Sequence, residues 1–577
     1  MNKYIFLILT IFYFTMTGYG QTALQILHFS DGDIPLAPKD YRRPSGIDPG
    51  DDYDPALFRY PYTLKDMQEK FSDDMMQRAA KEYRRMTDVN SNGTWKPDWL
   101  SLMKHQTPEW FSDIKFGMFI DWGLWSVAGY TLLLDPDREV YPDWYEYQMI
   151  ADNNGPRRYD KHGKIFSLRQ YHEKNWGKDF SRGDFIPLFT AENFNADKLT
   201  DLAVEAGMKY VIPFCKHFSG WCIWQSSYTH MDVGERLGED IMQPLVDNCK
   251  KKGLKFGFYY GTQEWEYPII TDSAMVIREW FRMRHKNPAA PYTPEVENLI
   301  PGKIPVRNFL RDYSIPQAVE FIDKYDPDIL WYDGDWDTMA EDLGSYEISA
   351  YFYNKAEGRK QVAVNDRYGL KKEDRRTSRA RLGDIFTSEH HSIHESKKNG
   401  DHAWEENRGI SSSFGFNWQD TDENVISSKT FIDMFVDIVA EGGNLLLIVN
   451  PDGKGALPDA QVKRLKDIGK WLKVNGEGIY NTRPYTTPKE GFIRYTRSKD
   501  GKTVYAICTE FPKDKLTLSS VTLGKTGQIT MLGAEDVKLK WTSKTTADQT
   551  QLIIKIPKSL YAKRASEYAW VFKITLQ

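Results

Sequence analysis

FNADKLTDLAVEAGMKYVIPFCKH, Phe194 to His217, reads as one complete helix-to-strand unit. Asn195 is placed to cap a first turn, and Leu199, Leu202, Ala203 and Ala206 keep the i, i+3, i+4, i+7 spacing of a helix with one apolar face. Gly207 supplies the stop. The apolar run YVIPFC (210–215) follows, too short for a helix of its own, and Lys216 and His217 stand just past its end. A helix leading into a fully apolar strand, with polar residues at the strand's carboxyl end, is the repeating element of a parallel sheet covered by helices.

The alternation extends in both directions, from about Ile114 to Asn450. Apolar runs recur as IKFGMFI (114–120), YVIPFC, KFGFYY (255–260), DILWY (328–332), QVAVN (361–365), DIFTS (384–388), GISSSFGF (409–416) and NLLLIVN (444–450). Eight such runs separated by helix-period segments predict an α/β fold, a (β/α)8 TIM-like barrel. A second clear helix is predicted over 428–441, with Phe431, Phe435, Ile438 and Val439 inward and Gly442-Gly443 as its stop. After about Gly476 the pattern changes to short alternating runs such as GFIRYTR, TVYAICT and QLIIKI, which predict a C-terminal antiparallel β-sandwich. Upstream, 31–61 is rich in Asp, Pro, Gly and Tyr and reads as part of an extended arm. The first twenty residues place Lys3 before an apolar stretch and small residues at Gly18 and Gly20, the pattern of a secretory signal peptide. The organisation read from the chain is therefore a signal peptide (1–20), an extended arm (21–95), a catalytic barrel (96–475) and a sandwich (476–577), secreted or periplasmic, with no membrane attachment after signal cleavage.

Composition narrows the function. The chain has 577 residues, 41% hydrophobic and 27% charged, which suits globular domains rather than a fibre or a polytopic membrane protein. A formal net charge of -5 offers no chain-wide positive field for a phosphate backbone, so nucleic acid is not an expected partner. Cys215, Cys222, Cys249 and Cys508 show neither a disulfide framework nor a metal-ligand spacing. Aromatic residues reach 14%, and flat apolar faces with polar rims suit sugar rings.

A barrel of this kind assembles its site from residues just past the carboxyl ends of the strands. Those positions hold Asp121 and Trp122, Lys216 and His217, Glu264, Asp333, Asp366 and Arg367, Glu389 with His390 and His391, and Asn450. Singly, a strand-end Asp often caps a helix or pins a loop. Together, carboxylates from two strands with an arginine, a histidine and several Trp and Tyr make a glycosidase set, in which one carboxylate attacks and another shuttles a proton.

At these positions the chain resembles glycoside hydrolase family 29, the retaining α-L-fucosidases. The resemblance is carried by PEWFSDIKFGMFIDWGLWSV (108–127), YPDWYEYQM (141–149), the opening unit with the Gly-Trp after it, GLKFGFYYGTQEW (253–265), DILWYDGDW (328–336), VNDRYG (364–369), FTSEH (386–390), SFGFN (413–417) and GGNLLLIVNPDGKGALP (442–458). It implies an exo-acting retaining hydrolase of terminal α-L-fucosyl or closely related α-L-galactosyl residues, with Asp333 as nucleophile; Asp335 and Asp337 are its neighbours on the next loop. It implies Glu389 as acid/base, with Glu395, Glu405 and Glu406 as rivals and Glu405 the main one, and places Arg367 beside the carboxylates. For the sugar it implies Tyr141, Asp143, Trp144, His217, Tyr259 and Trp331, with Phe119 and Phe414 against the C5 substituent. No cofactor and no metal are implied; the partner is an oligo- or polysaccharide.

Four positions depart from the family pattern. Asp121 stands where FIHWG carries histidine, Phe218 where a second histidine follows the first, Asp143 in place of the more usual Glu, and Ser219 in place of Asp. Phenylalanine offers neither donor nor acceptor, and an ionised carboxylate only accepts, so the hydroxyl contacts are re-specified. Asp121 is thereby a candidate acceptor for the extra C6 hydroxyl of α-L-galactose. Lys371, Lys372, Arg375, Arg376, Arg379 and Arg381 form a basic loop that reads as a solvated face or as a contact for a sulfated or acidic polysaccharide. Two other classes stand against the hydrolase: a catalytically silent sugar-binding barrel, suggested by the missing histidines, and a metal-dependent barrel hydrolase using Asp121, His217 and Asp333, which lacks the usual ligand spacings.

Overall fold

The computed structural model describes residues 34–44, 74–133, 140–151, 158–159, 165–180, 182–265, 269–270, 275–276, 308–334, 339–369, 383–389, 402–545, 550–564 and 566–576. Eight parallel strands make the central sheet: β1 Phe116–Ile120, β2 Tyr210–Lys216, β3 Lys255–Gly261, β4 Ile329–Asp333, β5 Ala363–Val364, β6 Phe386–Glu389, β7 Trp404–Gly409 and β8 Asn444–Val449. Their order is β6-β7-β8-β1-β2-β3-β4-β5, which is sequence order read around a circle. Among the described residues, β5 and β6 meet through the single bridge Asn365↔Ile385. Asp384 reinforces that seam: its Oδ2 accepts from the backbone of Val364 at 2.8 Å and from the Tyr353 hydroxyl at 3.0 Å, and its Oδ1 lies 2.7 Å from Nδ1 of His105.

Strand β7 does not lie where the apolar run places it. GISSSFGF is loop except for its first residue, and the strand is the preceding WEENRG. Its inward side chains are polar, so an apolar search passes over it. Gly117 shows how the interior makes room: a Cβ there would stand 2.3 Å from the Tyr210 ring, which crosses the barrel to donate from its hydroxyl to Glu405 on β7.

The helix read in the opening unit, α2, runs Ala196–Glu205, with the Asn195 side chain accepting from Lys198 N at 2.9 Å and Gly207 at φ +88°. The other, α3, runs Ser428–Ala440 with Ser427 as its cap. A further helix, α1 Asp74–Asn92, lies inside the stretch read as an extended arm. Ala79, Tyr83, Met86 and Asn90 form its packed edge, a stripe thin in apolar residues because one member is an asparagine bonded to the Glu347 carbonyl.

Beyond α4, Asp459–Asn475, come a five-stranded and a three-stranded antiparallel sheet. The sandwich has its own apolar interior, including Tyr495, Leu516, Leu552 and Phe572. The barrel core reaches it through Trp471, Tyr505, Ile507 and Val571. All four cysteines are buried free thiols. Among the described residues no helix is long and apolar enough to cross a membrane. The signal-peptide reading, Asp335, Asp337, His390, His391, Glu395 and the six basic residues of the 371–381 loop lie outside the described residues.

Candidate active site

A cavity of about 380 Å³ opens at the carboxyl ends of the strands. Each wall comes from a different element. Strand β1 supplies Phe119, β2 Phe214 and then His217 and Phe218, β3 Tyr259, and β4 Trp331 and Asp333; Arg367 follows β5, Glu389 ends β6 and Asn407 lies on β7. The remaining wall is a short helical segment and a loop, joined by the Val140↔Ser413 bridge. One carries Tyr141, Asp143, Trp144, Tyr147 and Gln148, the other Phe414, with the Tyr141 and Phe414 rings 5.0 Å apart.

Arg367 ties the polar groups of the cavity together. Its Nε donates to Thr387 Oγ1 at 2.9 Å, Nη1 to Asp333 Oδ1 at 3.1 Å and Nη2 to Glu389 Oε1. The guanidinium carbon lies 5.1 Å from the centroid of the Trp331 ring, a cation–π seat. Asp333 also accepts from the Tyr259 hydroxyl at Oδ2, 2.8 Å, and from Gly334 N at Oδ1, 2.9 Å. Burial raises the Asp333 carboxyl above its ordinary value; the Arg367 charge opposes this, the Glu389 charge adds to it, and the Tyr259 bond pulls back. Two carboxylates are thus held by one permanent cation, with every guanidinium nitrogen engaged.

His217 sits in an aromatic box of Phe214, Phe218, Trp125 and Trp265. Burial pushes its imidazole down to about 3, so the ring is neutral. Nε2 lies 3.5 Å from Asp143 Oδ2, and Nδ1 is buried without a partner among the described residues.

Of the residues read from the sequence, Asp333, Glu389, Phe119, Tyr141, Asp143, Trp144, His217, Tyr259, Trp331, Arg367 and Phe414 all line this cavity. Asp121 does not. It is fully buried, and its Oδ1 accepts from the Trp125 indole at 2.7 Å. Burial, with the Asp143 charge adding and the Trp125 bond opposing, holds its carboxyl well above the carboxylate range. Its place at a strand end gives no hint of this, because a residue four positions later claims the side chain. Glu405 is likewise beneath the cavity rather than in it: Trp331 Nε1 donates to its Oε1 at 3.1 Å and Tyr210 to its Oε2. Other strand-end candidates serve the scaffold. Lys216 pairs with Glu264 at 3.2 Å and contacts Tyr260 and Gln317, Asp366 accepts from Thr387, and Asn450 binds Gln461.

Sequence reasoning passed over Asn407, Tyr147, Gln148 and Phe214 as wall residues. Strand alternation from Glu405 identifies Asn407 once WEENRG is read as a strand. Among the described residues no group of three or more His, Cys, Asp or Glu side chains is gathered as for a metal ion.

A closed parallel barrel with two carboxylates at its mouth, bridged by arginine and ringed with aromatics, defines the class of glycoside hydrolases. Comparison with known families places the chain within that class. It belongs to the α-L-fucosidase family: the family model described as Alpha-L-fucosidase matches residues 83–477, and that of the Alpha-L-fucosidase C-terminal domain matches residues 487–575. The chain is 28% identical to the tissue alpha-L-fucosidase of Bos taurus, over 83% of this chain and 91% of that protein. It is also 28% identical to the alpha-L-fucosidase of Dictyostelium discoideum, over 77% and 87%. Among solved structures it is similar to the Thermotoga maritima alpha-fucosidase in complex with fucose, at 30% identity and a TM-score of 0.63, over 83% of this chain and all of the other.

Proposed function

We propose that the protein removes terminal α-L-fucosyl residues from glycans as an exo-acting enzyme, by double displacement, with Asp333 as nucleophile and Glu389 as acid/base. The observation that carries this is the single guanidinium spanning Asp333 and Glu389. A shared guanidinium keeps the two carboxyl groups within one arginine's span, which supports the short separation, roughly 5 to 5.5 Å, of a retaining pair. Asp333, fixed by three donors, attacks the anomeric carbon while Glu389 gives its proton to the departing oxygen. A glycosyl ester on Asp333 results. Glu389 then takes a proton from water, which attacks the same carbon from the face the aglycone left and frees Asp333.

The cavity is small and closed at its base, which favours one terminal sugar. Its apolar walls of Phe119, Phe214, Phe218 and Phe414 favour the methyl-bearing C5 side of L-fucose. The route to L-galactose through Asp121 loses its support, since Asp121 is absent from the cavity lining and its Oδ1 is taken by the Trp125 indole. Glycans bearing terminal fucose are the partner class; a sulfated substrate has no support from the described residues.

Azide tests the assignment. With an activated aryl α-L-fucoside, Glu389→Ala regains turnover in azide and yields α-L-fucosyl azide, because azide attacks the intermediate; Asp333→Ala yields the β-azide, because azide replaces the nucleophile. Rescue of Glu405→Ala in place of Glu389→Ala would overturn the acid/base assignment.

A further inference from the structure

We propose that Asn407 is a specificity-determining residue of the sugar pocket, its carboxamide engaging a glycone hydroxyl beside the bond that is cut. The inference rests on the sugar-hydrolase reading of the cavity and deepens it.

Strand alternation turns Glu405 and Asn407 to the same side of β7, into the barrel. Glu405 occupies the lower layer, where Tyr210 and Trp331 satisfy both its oxygens. Asn407 occupies the layer above and lines the cavity. The strand register sets it beside Glu389 on β6 and Leu446 on β8.

Asn407 has no exposed surface, yet among the described residues neither its Oδ1 nor its Nδ2 has a hydrogen-bond partner. A carboxamide carries two donors and two acceptor lone pairs, and burying them unpaired costs free energy that an apolar side chain of the same size avoids. Buried amides in folded proteins are almost always paired, and one left open on a cavity wall is explained by what enters the cavity. The Phe119, Phe214, Phe218 and Phe414 rings of the lining offer neither donor nor acceptor, and each Arg367 nitrogen already donates to Thr387, Asp333 or Glu389.

Its position narrows the contact. Asp333 reaches the anomeric carbon and Glu389 the departing oxygen, and Asn407 follows Glu389 around the barrel on the side away from Asp333. The sugar positions flanking the anomeric carbon are C2 on one side and, across the ring oxygen, C5 with its substituent. A hydroxyl at C2, or on C6 of an L-galactoside, presents the same chemistry to the amide. Substrates distinguish the two: a 2-deoxy-α-L-fucoside lacks the first, and an α-L-galactoside adds the second.

The experiment measures kcat/KM of the full chain and of Asn407→Leu on 4-nitrophenyl α-L-fucoside, its 2-deoxy counterpart and 4-nitrophenyl α-L-galactoside, alongside the melting temperature of each protein. Asn407→Leu is expected to melt at or above the parent, since the unpaired amide is gone, while losing about tenfold or more on substrates bearing the contacted hydroxyl. A fall on the fucoside and galactoside with the 2-deoxy compound spared assigns C2; a fall on the galactoside alone assigns C6. Equal loss on all three, no loss on any, or a melt well below the parent overturns the proposal, the last because it marks an amide that serves the fold. A parent inactive on all three overturns the hydrolase reading and this one with it; an active parent with an indifferent variant overturns this one alone.

Discussion

Replacing Glu405 by glutamine separates a buried support from a catalytic acid. Burial lifts the Glu405 carboxyl from 4.5 to about 7, with the Tyr210 and Trp331 bonds and the Arg367 charge pulling it back. The unfolded chain releases this proton near the ordinary value, whereas the folded protein holds it to about 7. A raised carboxylate makes the folded state lose stability as pH climbs through that window: the contribution is intact below 4.5 and lost above 7. At about 1.36 kcal/mol per unit, the gap is worth about 3 kcal/mol. Glutamine has the same shape, cannot ionise, and keeps one oxygen for Trp331 while its amide turns to the Tyr210 hydroxyl. Melting curves of parent and Glu405→Gln are therefore expected to lie close together at pH 5 and to separate at pH 8, the variant higher by about 6 °C if 1 kcal/mol moves a large domain by about 2 °C. The activity on an α-L-fucoside should survive, since the side chain lies under the cavity. A variant that melts no higher at pH 8 than at pH 5 relative to the parent would refute the burial argument. One that loses turnover and regains it in azide would refute the catalytic assignment.

Two further outcomes follow from bonds already described. Tyr259→Phe removes a donor from Asp333 Oδ2, so the acidic limb of the kcat/KM profile should move to higher pH and kcat/KM at neutral pH should fall about tenfold or more; an unchanged pH profile counts against Tyr259 as a support of the Asp333 carboxylate and against the role proposed for it. Asp384→Asn weakens the seam where Val364, Tyr353 and His105 converge, and because Arg367 and Glu389 stand at the upper end of that seam, melting temperature and kcat/KM should drop together. Retained kcat/KM at a temperature where the variant is folded would show that the seam does not position Glu389.

The residues that announce this fold are the ones whose environment is uniform. Strand β2 is buried along its whole length, so its apolar run is complete, and α2 faces one core, so its stripe is regular. Legibility fails where the interior itself is polar. Strand β7 turns Glu405 and Asn407 inward, and the partners that make this tolerable, Tyr210 and Trp331, come from β2 and β4, far away in sequence. The same long-range dependence decides the site. Residues at strand ends were visible from the chain, but whether one faces the cavity depends on neighbours that local pattern does not contain: Trp125 draws Asp121 away, and Gln317 with Tyr260 and Glu264 retains Lys216. Asp333, Arg367 and Glu389 were singled out among the strand-end residues by the family resemblance, and because β4, β5 and β6 are consecutive their three strand ends are neighbours in the fold.

The apolar continuity between barrel and sandwich bears on how such a chain is inherited and engineered. Trp471 donates its indole hydrogen to the Ala569 carbonyl at 2.9 Å, and its ring packs in one core with Tyr505, Ile507 and Val571. Arg494 of the sandwich pairs with Asp437 of α3, and Arg483 with Asp113 beside β1. A sugar-binding appendage on a flexible tether can be swapped between enzymes or trimmed away; a module that completes its neighbour's hydrophobic surface cannot. Truncation at the end of α4 would uncover Trp471 and the apolar surface it shares with Tyr505, Ile507 and Val571, so the barrel keeps its solubility only with the sandwich in place.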